Sequence, residues 1–151
     1  MNKAYDRIEW GFIEGMMKKL NFCDTWIAWI MDCISSVSFN IQLSGRKIAQ
    51  IKPQRDLRQG DPLSPYLFIL ASEVFSSMLS IHAKHGNFRG INITRGGSML
   101  THCLFADDTI IFMQAEAQNC RLFMEILREY CKCSGQRVNY DKSSLFFSPN
   151  R

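Results

Sequence analysis

The chain has 151 residues, 46% of them hydrophobic, which favours one domain with enough apolar material for a packed core. Its 18 Lys and Arg against 14 Asp and Glu leave a net charge of +4, which permits a polyanionic partner without demanding one. No unbroken apolar run is longer than that of Tyr66 to Ala71, which is too short for a membrane span. The six cysteines, without a Cys-x-x-Cys pair or a signal peptide, read as reduced thiols.

Taken in chain order, Asp6 to Leu20 is predicted as one helix, with Ile13, Met16, Met17 and Leu20 on a common face and Lys18 and Lys19 suiting its C-terminal end. Asp6 suits the N-cap, accepting from the amide of Ile8 or Glu9, and Asn21 ends the helix. Asp24 caps a second helix through Ser35. Phe39, Ile41 and Leu43 alternate with Asn40 and Gln42, so Ser38 to Leu43 is a strand; Ser44-Gly45-Arg46 turns it, and Lys47 to Ile51 returns. Residues 53–65 hold three of the four prolines and Gly60, and begin as a loop. A long helix runs from Ser64 to about Lys84, with Leu67, Ala71, Val74 and Met78 on one side, and Gly86 ends it. His82 and His85, three apart, read as a solvated helix end rather than a metal pair.

Further on, Ile91 to Ile93 is a short strand, and Leu104-Phe105 and Thr109 to Met113 are two more, pivoting at Asp107-Asp108. A helix from Ala115 to about Cys133 buries Leu122, Phe123, Ile126, Leu127 and Tyr130, and Gly135 caps it. Val138 and Leu145 to Phe147 suggest a closing pair of strands. The order of elements predicts an α+β domain with an antiparallel sheet.

Four stretches could carry chemistry. In Leu-Phe-Ala-Asp-Asp-Thr, residues 104–109, two adjacent carboxylates at a tight turn suit hard divalent cations of the kind phosphoryl-transfer enzymes hold in pairs, but also suit a plain surface turn. In Arg58 to Pro65, Gly60 permits close approach, Arg58 can pair with a phosphate, and the start of the next helix offers amides to an anion. The alternative there is an Asx-Pro turn after a solvated basic loop bearing Arg46, Lys47, Lys52, Arg55 and Arg58 against the single acid Asp56. Lys3 to Trp10 offers Asp6 as an acid or a cap. Ser134 to Ser143 offers Lys142 as a phosphate contact or proton donor, or simply a helix stop and a polar turn.

Together, Lys-Ala-Tyr-Asp-Arg-Ile-Glu-Trp, Arg-Gln-Gly-Asp-Pro-Leu-Ser-Pro, Phe-Ala-Asp-Asp and Ser-Gly-Gln-Arg-Val-Asn-Tyr-Asp-Lys-Ser, in this order, resemble the reverse transcriptases of non-LTR retrotransposons, the plant LINE type in particular. The resemblance covers essentially the whole chain. It implies a polymerase palm-like antiparallel sheet with packed helices and a small piece of fingers, making residues 1–151 a partial reverse transcriptase domain. It implies RNA-directed DNA synthesis with two Mg²⁺, on an RNA template, a DNA primer and a dNTP. Asp107 and Asp108 are then catalytic metal ligands. Tyr5 is the aromatic gate against a 2′-hydroxyl, Arg58, Gln59 and Gly60 contact substrate, and Lys142 protonates the leaving pyrophosphate. Phe105 stands where many relatives carry Tyr, and Pro65 opens the helix behind the substrate loop.

The family's first motif begins with an Asp three residues before its Lys, a position that falls just before Met1 when Lys3 is matched. Asp6 is the second acid of that motif and no substitute by register. The resemblance therefore implies an incomplete metal site, a chain inactive alone and of low stability, and an intracellular setting, nuclear or cytoplasmic. A domesticated, non-catalytic module binding nucleic acid or protein is the competing expectation.

Overall fold

The computed structural model describes residue 1 and residues 3–148. Its elements are five α-helices and six short strands: α1 (Ala4–Arg7), α2 (Trp10–Lys19), α3 (Asp24–Ser35), β1 (Phe39–Leu43), β2 (Arg46–Ile51), α4 (Ser64–Lys84), β3 (Ile91–Asn92), β4 (Met99–Leu100), β5 (His102–Phe105), β6 (Asp108–Ile111) and α5 (Ala117–Ser134), followed by a 3₁₀ turn at Tyr140–Lys142. The mixed α+β composition is as expected.

The helix predicted from Asp6 is broken. Ile8 and Glu9 are extended between α1 and α2, because their backbones are used elsewhere. The Ile8 carbonyl accepts from the Asp56 amide at 3.1 Å, Glu9 pairs with Arg55, and the Glu9 amide donates to the Ser134 carbonyl at 3.1 Å. These tertiary bonds outweigh local helix preference. Asp6 consequently lies inside α1 and caps nothing: Lys3 occupies the N-cap in a left-handed conformation, with no side-chain cap. Asp24 is likewise the first residue of α3, behind Cys23. Asn21, at φ 61°, does terminate α2.

The apolar faces meet in two adjoining clusters. One gathers Ile13, Met16 and Met17 of α2, Ile27, Ile30 and Ile34 of α3, and Leu67, Phe68 and Ala71 of α4 around Ala4, Ile8 and Leu57. The other packs Phe75 and Leu79 of α4 against Ile126, Leu127 and Tyr130 of α5 and the fully buried Phe88. The buried face of α4 thus runs through Leu67, Phe68, Ala71, Phe75 and Leu79, with Val74 and Met78 on its flank. Among the described residues α4 alone is long and apolar enough to cross a membrane by length and composition, although its run is interrupted by polar residues. Here it is the central helix, shared by both clusters. His85 sits at its C-cap, its Nδ1 against the Ile81 carbonyl at 2.8 Å, and Gly86 follows at φ 72°.

The strands correct the expectation of one antiparallel sheet. Among the described residues they form three separate antiparallel pairs, β1–β2, β3–β4 and β5–β6. β1–β2 carries every residue exposed, including Phe39, Ile41 and Leu43. The closing strands at Val138 and Leu145 to Phe147 are absent: that stretch is irregular, and Leu145, Phe146 and Phe147 are exposed. An apolar run makes a strand only where an edge is there to pair with it. All six cysteines are free thiols.

Candidate active site

The acidic doublet sits on the β5–β6 hairpin. Register pairs His102 with Ile111, Cys103 with Ile110, Leu104 with Thr109 and Phe105 with Asp108, leaving Ala106-Asp107 as a two-residue turn. Such turns need a left-handed first residue, and Ala106 takes φ 51° despite its β-carbon. Alternation puts His102, Leu104, Thr109 and Ile111 on the half-buried face and Cys103, Phe105, Asp108 and Ile110 on the exposed one. Asp107 and Asp108 are both exposed. Asp107, at the turn, lines a small recess with Met1, Leu104 and Thr109, floored by Phe68, Ser72 and Phe75 of α4 and by Tyr130 and Gln136. The Met1 amino group donates to the Asp107 carbonyl at 3.0 Å, so Met1 lies against the hairpin.

His102 anchors the hairpin to α4. One ring nitrogen lies 2.9 Å from Ser76 Oγ and the other 2.8 Å from Thr101 Oγ1. Burial pushes its pKa down, against the opposing pull of Glu73.

Tyr5 is fixed from three sides. Its ring stacks on Phe68 with centroids 4.7 Å apart and planes 14° apart, and its carbonyl accepts from the Leu57 amide at 3.0 Å. The preceding carbonyl, of Ala4, accepts from Gln136 Nε2 at 2.6 Å. Through Phe68 the Tyr5 ring adjoins the recess beside Asp107.

The loop after β2 delivers Arg58, Gln59 and Gly60, all exposed, with Gly60 at φ 88°. Asp61 Oδ1 accepts from the Leu63 amide at 2.8 Å, and the Asp61 carbonyl accepts from the Ser64 amide at 3.2 Å. Pro65 has no amide, so Asp61 and the prolines consume most of what the start of α4 was expected to offer an anion: the Asx-Pro turn is what forms. Arg58 lines a different cleft, between α3 and this loop, with Trp10, Ile34, Phe39 and Asp61. Asp56, in that cleft at φ 111°, has its pKa raised by burial and by the nearby Asp6 charge, against a lowering hydrogen bond from the Leu57 amide. Lys142 is exposed in the 3₁₀ turn, and no side-chain hydrogen bond or ion pair joins it to the hairpin among the described residues.

The structure thus links Tyr5 to the Asp107 recess through Phe68 of α4, whereas Arg58 lines the other cleft. Two residues escaped sequence reasoning. Gln136 is buried and spans 132 positions to reach Ala4. Asn119 is buried at the start of α5, accepting from the Arg89 amide at 3.0 Å and donating to the carbonyls of Arg89 at 2.7 Å and Gln114 at 3.1 Å. A polar residue on the apolar face of a predicted helix was the available signal in the case of Asn119.

The family model for Reverse transcriptase (RNA-dependent DNA polymerase) matches residues 1–150, and the chain belongs to that family. It is 37% identical to an uncharacterized mitochondrial protein of Arabidopsis thaliana over 70% of this chain and 85% of that protein. It is 25% identical to the Transposon TX1 uncharacterized 149 kDa protein of Xenopus laevis, and 22% identical to a retrovirus-related Pol polyprotein from type-2 retrotransposable element R2DM of Drosophila melanogaster. Each of these two matches covers 94% of the chain but only 10% and 13% of those longer proteins. The resemblance to non-LTR retrotransposon reverse transcriptases is borne out at this level.

Proposed function

We propose that the chain is a palm segment of an RNA-directed DNA polymerase, in which Asp107 and Asp108 contribute to a two-Mg²⁺ nucleotidyl-transfer site. The supporting observation is Asp107 at a two-residue hairpin turn, with Asp108 opening the next strand, beside a recess floored by the Phe68 on which Tyr5 stacks, in a chain of this family. In the reaction a primer 3′-oxygen forms a bond to the α-phosphorus of a dNTP, and the bond from that phosphorus to the pyrophosphate oxygen breaks. Mg²⁺ bound at the two carboxylates would supply neutralisation of the phosphate charge. Hard oxygen donors fit that ion. The Tyr5 ring would exclude a 2′-hydroxyl, Arg58, Gln59 and Gly60 would contact the incoming substrate or template, and Lys142 would give its proton to the departing pyrophosphate.

Among the described residues no third His, Cys, Asp or Glu joins the pair to make a metal-holding group. Two carboxylates leave most of the coordination of two ions to water and substrate, so affinity is weak and the 151-residue chain is a poor catalyst by itself. Primer extension on an RNA template with Mg²⁺ should give at most trace product, lost in Asp107→Asn. Robust extension would overturn the poor-catalyst argument. Paramagnetic relaxation by Mn²⁺ should report binding that disappears in the Asp107→Asn/Asp108→Asn double variant; unchanged binding would overturn the metal assignment. Steeply salt-dependent RNA binding that survives the double variant, with no metal binding, would favour a non-catalytic nucleic-acid module.

A further inference from the structure

We infer that Ser134-Gly135-Gln136 is a positioning clamp for Tyr5, with Gln136 as its working side chain. Three consecutive residues grip the segment that carries Tyr5. The Ser134 carbonyl accepts from the Glu9 amide at 3.1 Å. Gly135, the left-handed cap of α5 at φ 77°, lets the chains touch: a β-carbon there would stand 2.4 Å from the Arg7 carbonyl oxygen and 2.8 Å from Glu9 Cγ. Gln136 Nε2 donates to the Ala4 carbonyl at 2.6 Å. The clamp is itself braced, since Ser134 Oγ donates to the Tyr130 carbonyl at 2.6 Å and accepts from the Gln136 amide at 3.3 Å.

The other half of the Gln136 amide shows what the residue is for. Gln136 is 2% exposed, yet its Oε1 has no hydrogen-bond partner among the described residues. A side chain serving packing alone would be apolar there, because an unpaired buried oxygen costs stability. What a glutamine adds is the single donor aimed at Ala4. That bond fixes one side of the Tyr5 backbone, while the Leu57 amide fixes the other and Phe68 holds the ring. The position of the ring relative to the substrate loop is therefore set from α5, through Gln136.

This inference rests on the reading of Tyr5 as the group that senses the nucleotide sugar, and two measurements separate it from that reading. The variants are Gln136→Met, of similar size without the donor, and Gln136→Glu, which places an acceptor against the Ala4 carbonyl. Amide hydrogen exchange at Leu57 should accelerate about tenfold in Gln136→Met, and more in Gln136→Glu, while Ile126 and Leu127 in α5 stay as in the parent. Unchanged exchange at Leu57 overturns the clamp. Uniform acceleration through α4 and α5 overturns it equally, since Gln136 would then serve the core as a whole. The ratio of dATP to ATP affinity with Mg²⁺ should narrow in both variants. An unchanged ratio with Leu57 loosened overturns the role in sugar selection. A parent chain that binds neither nucleotide removes the substrate reading, and exchange at Leu57 still decides the clamp.

Discussion

Replacing Gly135 by Ala adds one carbon where the structure has no room for it, and Gly86 supplies the internal control. Both glycines follow a long helix in the left-handed region, at φ 77° and 72°. A β-carbon on Gly86 meets nothing within 4 Å, so Gly86→Ala costs only the conformational penalty, about 1–2 kcal/mol. On Gly135 the same carbon would lie 2.4 Å from the Arg7 carbonyl oxygen, a backbone atom that has to move with its chain. Moving it strains the Glu9 to Ser134 and Gln136 to Ala4 hydrogen bonds, each worth about 1 kcal/mol net. The total for Gly135→Ala is about 3–4 kcal/mol. For a chain of this size that is a fall in Tm of about 10 °C, against about 4 °C for Gly86→Ala. Thermal unfolding followed by far-UV circular dichroism measures both. If the two variants melt together, the close approach of α5 to the α1 segment is not a determinant of stability, and the steric reasoning is wrong.

Two further outcomes follow from side chains outside the acidic turn. Asn119→Ala strips three hydrogen bonds from a buried site and leaves both the amide and the carbonyl of Arg89 without this partner, a loss of about 2–4 kcal/mol that a urea titration would read as a lower midpoint; a change near zero would mean that water replaces the side chain. His102 has its pKa lowered below 6.5, chiefly by burial, so the folded state favours the neutral ring. Its contribution is whole above pH 6.5 and is lost as pH falls through 6.5 toward the lowered value, because the unfolded chain then binds the proton more readily. His102→Gln should flatten stability against pH below 6.5, and an unaltered slope would refute the assignment.

How much of this was legible in the sequence differs by element. Helices α3 and α4, the β1–β2 hairpin and the Gly135 stop were readable because periodicity, turn residues and caps act over a few neighbours. The break at Ile8-Glu9 was not, since its cause lies at Asp56, Arg55 and Ser134. Strand β4, Met99–Leu100, escaped notice because two residues carry no period. Leu145 to Phe147 carried the apolar content of a strand without a neighbouring edge to make it one. At the site, Asp107 and Asp108 were ambiguous alone and became informative only with the flanking motifs. The Ser134 to Ser143 stretch drew attention to Lys142, whereas the structure puts the connected residue six positions earlier, at Gln136. A glutamine's partner cannot be read from its own neighbourhood.

The Gln136 to Ala4 bond also has a consequence for the order of events during synthesis. The two residues are separated by 132 positions, so a chain made from its N-terminus carries Ala4 and Tyr5 out long before their fastening exists. At about 5–20 residues per second, the interval is on the order of ten seconds. For that time α2, α3 and α4 can consolidate around Ile8 and Leu57, while Tyr5 has its stacking partner and its bond to the Leu57 amide but lacks the one from α5. The aromatic ring is thus locked only after the residues that follow α5 have emerged.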